Sequence, residues 1–217
     1  MAKKYKYILF DLDGTLTDSA EGITRSVQHA LKQFNIEVNL DELKPFIGPP
    51  LKQSFIDQYG FNEEKARQAV GYYREYYREK GIYGNKLYPN VLDMLRYLSS
   101  KKARLFVATS KPTIFAEKVL HNLQIESYFT LVAGSNLDGT RVNKSEVITH
   151  VLENNNEIDI SKSVMVGDRK HDVIGARACN LDAIAVTYGY GSRAELIESE
   201  PNQLVQSVRE LWELLSA

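Results

Sequence analysis

Tyr7-Ile8-Leu9-Phe10 is an unbroken apolar run that stops at Asp11-Leu12-Asp13-Gly14-Thr15. A short apolar run bounded by turn residues reads as a strand buried on both faces. Carboxylates placed directly after such a strand are costly to desolvate unless a cation, a substrate or hydrogen bonds meet them there. Residues two apart on a strand share a side, so Asp11 and Asp13 are able to face one pocket. An ordinary Asp-Gly turn with Asp11 capping the strand is the simpler alternative. The choice between them depends on what the other strands end in.

After Leu16 the pattern turns helical and stays so for about seventy residues. Ile23, Val27, Ala30, Leu31 and Phe34 make one apolar stripe. Asn39 is placed to cap a short helix through Phe46, and Gly48-Pro49-Pro50 breaks the chain. A segment from Leu51 to Tyr59 leads to Asn62, a cap for a long helix from Glu63. Ala69, Tyr72, Tyr73, Tyr76 and Tyr77 line one side of it, as packing or as a stacking surface. Gly81 to Asn85 reads as a flexible return linker.

From Tyr88-Pro89 onward, helices and strands alternate. Helices are expected at Val91–Leu98, Thr113–Leu123, 143–154 and Asp172–Ala178, with a last one containing Trp212. Strands are expected at Arg104–Ala108, around Leu131–Ala133, and at Ser163–Val166 and Ala183–Val186. Such alternation means an α/β fold, a mainly parallel sheet with helices on both faces. The expected core is residues 1–17 and 86–217, and the all-helical block at 18–85 is an insertion.

In an open parallel sheet the ligand sits beyond the carboxyl ends of the strands. Asp11 and Asp13 follow one strand, Thr109, Ser110 and Lys111 a second, and Asp168 and Asp172 a third; Lys144 opens a helix nearby. Several carboxylates at one point call for a divalent cation, and hard oxygen donors suit Mg2+. A lysine and a hydroxyl beside them complement a phosphoryl group, with one carboxylate attacking phosphorus while the other handles protons. His171 lies in the last acidic loop but reads as exposed or supporting, not as a ligand.

Net charge is -1, from 27 basic and 28 acidic residues, so there is no electrostatic case for nucleic acid or an anionic membrane as partner. No apolar stretch is long enough to span a bilayer, and Met1-Ala2-Lys3-Lys4-Tyr5 carries no signal-peptide core. The single cysteine, Cys179, reads as a small buried thiol and fits a reducing compartment. A cytoplasmic protein is the expectation; oligomeric state is not readable.

The ordered set DLDGT at Asp11–Thr15, Thr109 ending a strand, Lys144, and GDRKHD at Gly167–Asp172 resembles the four motifs of the haloacid dehalogenase-like hydrolases. The resemblance covers nearly the whole chain and implies a Rossmann-like core with an inserted helical cap. It implies that Asp11 is a nucleophile forming an aspartyl-phosphate and that Asp13 is general acid, then base. It further implies that Thr109, Ser110, Lys144 and Gly14 hold the phosphoryl group, and that Asp11, the Asp13 carbonyl, Asp168 and Asp172 surround Mg2+. Lys111 is a second candidate for the lysine role. An acid at Asp13 is what phosphatases need and dehalogenases do without. The Gly48-Pro49-Pro50 turn, Leu87-Tyr88-Pro89, Thr109-Ser110-Lys111-Pro112 and Tyr188-Gly189-Tyr190-Gly191 look most like the phosphoglycolate phosphatase-like branch. Asp138-Gly139-Thr140-Arg141 is similar to members with nucleotidase or general phosphatase activity. The expected substrate is a small phosphorylated metabolite. A 5'-nucleotidase, a pyrophosphatase and a phosphosugar mutase are the alternatives, and a non-catalytic binding module is the reading outside enzymes. Arg25, Gly48, Pro49 and Lys52 are candidate specificity residues, each also readable as a plain surface or turn residue.

Overall fold

The computed structural model describes residues 5–216, so the expectations for residues 1–4 and the last residue, 217, lie outside it. The strands in chain order are β1 Tyr7–Phe10, β2 Thr17–Asp18, β3 Lys86–Leu87, β4 Arg104–Pro112, β5 Phe129–Ser135, β6 Ser163–Gly167, β7 Asp182–Val186 and β8 Gln203–Val205. The α-helices are α1 Ala20–Lys32, α2 Leu51–Tyr59, α3 Glu63–Glu79, α4 Val91–Ser100, α5 Thr113–Asn122, α6 Lys144–Glu153, α7 Lys170–Ala178, α8 Arg193–Glu198 and α9 Val208–Ser216. They group into two compact units, one running to Asp18 and resuming at Leu87, the other Ser19–Lys86.

The first unit is built on a six-stranded sheet in the order β5-β4-β1-β6-β7-β8, with every pairing parallel. β1 is central because Ile8, Leu9 and Phe10 have no exposed surface, and only a strand covered on both faces accepts such a run. Its partners are β4 and β6, with Phe10 opposite Val107 on one side and Val166 on the other. One face of the sheet packs Leu9, Phe106 and Met165 against Val147, Ile148 and Val151 of α6 and Val173 and Ala176 of α7. Sequence runs outward from β1 in both directions, so the carboxyl ends of β1, β4 and β6 border the crevice where such sheets bind ligands.

Four expectations change in this unit. β4 does not stop at Ala108: it bulges between Ala108 and Pro112, then pairs Pro112 with Ser135. Thr109, Ser110 and Lys111 therefore lie within the bulged end of a strand and not in a loop after it, a common device for re-aiming side chains beside a site. A three-residue edge strand, β8, and the short helix α8 were too brief to show a periodicity. Helix α7 starts at Lys170, two residues before the expected Asp172. Cys179 is half-buried, not buried, because it sits just past the end of α7 with Sγ 3.5 Å from Ser145 O.

In the helical unit, the Asn62 side chain accepts from Lys65 N at 2.8 Å and starts α3 as expected. The segment after Asn39 is a 3-10 helix, Leu40–Phe46, and Asn39 turns its amide to Glu42 instead of capping the backbone. Tyr73 and Tyr77 are buried and stacked at 5.5 Å, while Tyr72 is exposed, so the tyrosine stripe is mainly packing. The return segment is ordered: Gly81–Tyr83 forms a 3-10 turn, and buried Asn85 donates to Ile82 O at 2.9 Å.

Candidate active site

The backbone of β1 delivers the first carboxylate. Asp11 N donates to Val166 O at 2.9 Å, which carries the β1–β6 pairing one residue past the strand and sets Asp11 beside the end of β6. There Asp11, Asp168 and Asp172 gather, all buried, with one oxygen from each within 4.8 Å of the others. Asp11 Oδ1 accepts from its neighbour Leu12 N at 2.7 Å and lies 3.0 Å from Lys144 Nζ. Lys144, the first residue of α6, reaches Asp172 at 2.8 Å and donates to Ala108 O at 2.9 Å. One ammonium thus joins the ends of β1, β4 and α7.

Asp13 turns the other way. Its Oδ2 meets Lys111 Nζ in a buried ion pair, while its Oδ1 is buried with no hydrogen-bond partner. Thr109 is buried beside this pair, and its hydroxyl accepts from Lys111 N at 3.3 Å. Ser110 is half-buried, its carbonyl accepting from Ser135 Oγ at 2.8 Å. Gly14 takes φ +85° and donates to Thr17 O at 2.8 Å; a Cβ there would strike the carboxylate of Asp168. Glycine is required at that turn.

The charges explain why the cluster could hold a cation. Burial pushes Asp168 well above the usual carboxylate range, reinforced by Asp11 and Asp172. Burial also lifts Asp172 to about 6, against the opposing pull of Lys144. Burial alone would lower Lys144, but Asp11 and Asp172 together hold it above its ordinary value. Lys144 pairs with two of the three buried carboxylates, Asp11 and Asp172, and the surplus negative charge with an all-oxygen donor set fits a hard divalent cation. His171 ends up half-buried and lowered by that burial, next to the cluster but not in it.

The segment Tyr188–Gly191 supplies contacts that residue types alone did not reveal. Tyr190 N donates to Asp168 Oδ2 at 2.7 Å, and Tyr188 OH donates to Thr15 O at 3.0 Å. Tyr190 OH reaches Asp18 at 2.6 Å. Gly189 lies so close that a Cβ would strike Gly14 O and Asp168 Cβ. The two glycines in Tyr-Gly-Tyr-Gly are the one local signal that could have pointed to a close approach of backbone, without saying to what. Arg169 extends the bracing through Glu195 at 2.9 Å. Replacing Gly189 with Ala is expected to displace Asp168 and lower the melting temperature by several degrees, in line with a 1–3 kcal/mol overpacking cost of about that size. A thermal melt of the variant checks it; an unchanged midpoint would mean the loop yields freely.

The remaining candidates belong to the helical unit. Arg25 pairs with Glu21 at 3.2 Å on the surface of α1. Lys52 pairs with Glu63 at 2.5 Å, and Gly48 takes φ +103° ahead of Pro49. Arg25 also lines a cavity of about 630 Å³ with His29, Lys32 and Tyr76.

No described helix is long and apolar enough to cross a membrane. The family model for haloacid dehalogenase-like hydrolases matches residues 8–186. A protein from Pseudomonas aeruginosa named 5'-nucleotidase is 42% identical over 100% of this chain and 98% of its own. A Mycobacterium tuberculosis protein named tyrosine-protein kinase PtkA is 38% identical over 97% of this chain and 71% of its own. A phosphoglycolate phosphatase from Aliivibrio fischeri is 28% identical over 100% and 99%. Among solved structures, a predicted phosphatase from Clostridium acetobutylicum superposes with a TM-score of 0.94 at 47% identity, covering 97% of each chain. With a family match over residues 8–186, three of the motifs at the ends of β1, β4 and β6, and Lys144 at the start of α6, the chain belongs to the haloacid dehalogenase-like hydrolases.

Proposed function

We propose that this phosphatase hydrolyses small phosphomonoesters through a phosphorylated Asp11, with Mg2+ as cofactor. The observation that carries the reading is the division of labour between two buried carboxylates. Asp11 is drawn into the cluster with Lys144, and Asp13 is held apart by Lys111. Asp11 Oδ1 is engaged by Leu12 N and Lys144, which leaves Oδ2 to attack phosphorus. As that bond forms, the ester P–O bond breaks, and the departing oxygen takes both its electron pair and the proton of Asp13. The alcohol leaves. Asp13, now a carboxylate, takes a proton from water as the water oxygen attacks phosphorus. The bond from Asp11 to phosphorus breaks, its electrons return to the Asp11 carboxylate, and inorganic phosphate departs.

Lys144 offsets charge on Asp11 and the phosphoryl group, and Thr109 and Ser110 offer donors to phosphoryl oxygens, while Gly14, whose N–H is engaged by Thr17 O, serves the phosphate site by keeping the turn free of a side chain. Asp11, Asp168 and the Asp13 carbonyl would hold Mg2+, with Asp172 as a further ligand or as the anchor of Lys144. When bound, the ion neutralises the carboxylates so that a phosphate dianion can approach them. The inserted helical unit, with Arg25, Gly48, Pro49 and Lys52, would then read the group attached to phosphate. A cytoplasmic setting suits such a metabolite.

Phosphoglycolate is the substrate that the Thr109–Pro112 and Leu87–Pro89 segments favour. A nucleoside 5'-monophosphate is the second reading, supported by the 42% identity to a protein named 5'-nucleotidase. The test is phosphate release from a panel holding 4-nitrophenyl phosphate, phosphoglycolate and nucleoside 5'-monophosphates, ranked by kcat/KM. Activity is expected to vanish with EDTA and return with Mg2+. Turnover that survives complete chelation would overturn the metal-dependent reading.

A further inference from the structure

Lys111 is a buried lysine that the phosphoryl-transfer steps above leave without a task. It stands on the bulged end of β4, and its ammonium meets only one of the two Asp13 oxygens, Oδ2. The other, Oδ1, is buried and has no hydrogen-bond partner. Lys144 already occupies the place beside Asp11, so a second lysine for that duty is superfluous. Bulges re-aim side chains next to sites. Here the bulge turns Lys111 toward a different carboxylate from the one Lys144 serves.

We propose that Lys111 is a positioning residue that fixes which oxygen of Asp13 exchanges protons. An ammonium only donates. It therefore keeps Oδ2 as an acceptor, and whenever Asp13 carries a proton, that proton sits on Oδ1. Proton delivery to the departing ester oxygen runs from Oδ1, and the later uptake from water returns to Oδ1. Without Lys111 the carboxyl is free to rotate, and the proton is divided between two oxygens of which one is misdirected. The proposal rests on Asp13 as the acid–base group, and its test separates the two ideas.

The readout is leaving-group dependence. A 4-nitrophenolate leaves from phosphorus with little need of a proton, whereas an alkoxide needs one, and a positioned acid contributes on the order of 10²–10⁴-fold. The kcat/KM values for 4-nitrophenyl phosphate and an alkyl phosphate are compared in wild type, Asp13→Asn, Lys111→Met and Lys111→Arg. Taking their ratio within one preparation cancels any unfolded fraction. Asp13→Asn and Lys111→Met are both expected to lose about 100-fold more on the alkyl ester than on the aryl ester. Lys111→Arg, which still donates, is expected to recover most of that loss, and inhibition by inorganic phosphate is expected to stay unchanged in Lys111→Met. If Lys111→Met lowers both esters equally, or weakens phosphate inhibition, while Asp13→Asn remains selective, the positioning role is overturned and Lys111 binds phosphate or supports the fold. If Asp13→Asn shows no selectivity, the acid–base reading of Asp13 fails first, and the role of Lys111 with it.

Discussion

Asp11→Asn is expected to lower kcat by about 10⁴-fold or more, a loss near 5.5 kcal/mol of transition-state stabilisation, while leaving the fold intact. The substitution keeps the size of the side chain and one oxygen for Leu12 N, so the backbone turn after β1 has no reason to change. What it removes is the charged oxygen that attacks phosphorus, for which an amide is no substitute. Removing one of the buried carboxylates also relieves crowding around Asp168, so binding of inorganic phosphate is expected to persist when chemistry does not. Single-turnover assays with acid quench check the point directly: wild type should carry acid-stable, hydroxylamine-sensitive phosphate, and the variant none. A variant that still turned over at more than a tenth of the wild-type rate would place the nucleophile elsewhere.

Asp168→Asn is expected to act in opposite directions on stability and function. Asp168 has no exposed surface, and burial beside Asp11 and Asp172 holds it well above the ordinary carboxylate range. An asparagine keeps an acceptor for Tyr190 N and gains donors toward the neighbouring carboxylates. Removing one buried charge is expected to stabilise the metal-free protein by about 1–2 kcal/mol, or roughly 2–8 °C in Tm for a chain of this size. The same change removes a ligand, so the gain in Tm that saturating Mg2+ gives wild type should disappear together with activity. The pH dependence follows the same sign. Asp172, raised from 3.8 to about 6, keeps its proton in the folded state over a range where the unfolded chain has released it. Its favourable contribution is complete below 3.8 and is lost as pH rises through 6. Metal-free stability should therefore fall across that window, and Mg2+, which binds the ionised form, should flatten the fall. A denaturant series with and without metal at several pH values checks both; equal slopes would mean that no cation binds among these carboxylates.

Much of this was legible in the chain because the site is written as departures from apolar runs. Asp11 after Tyr7–Phe10 and Asp168 after Ser163–Gly167 stand out since nothing else in those runs is charged. Asn62 and Lys144 were placed by helix-start chemistry, and each opens its helix as expected. Lys111 was harder. In sequence it belongs to the same strand end as Thr109, and only the bulge in β4 shows that it faces Asp13. A bulge depends on pairing with β5, which no local pattern records. The contacts of Tyr188 with Thr15 and of Tyr190 with Asp18 were invisible for a related reason, since they join residues more than 150 positions apart. β8 and α8 are each shorter than two full periods of their hydrophobic pattern, too short for a repeat to register.

The central position of β1 has a consequence for how the protein is made. β1 leaves the ribosome well ahead of both its partners: Tyr7 pairs with Arg104 on one side and with Ser163 on the other. At about 5–20 residues per second, this fully apolar segment waits roughly five seconds or more for its first neighbour and still longer for its second. Until then it is a bare hydrophobic peptide with both hydrogen-bonding edges open, the kind of segment that chaperones capture. The helical insertion fills most of that interval, and its contacts are local enough to form while the strand is still waiting. A nascent chain stalled before β6 emerges should remain protease-sensitive at Tyr7–Phe10, and release of the remaining residues should protect the strand and assemble the carboxylates together.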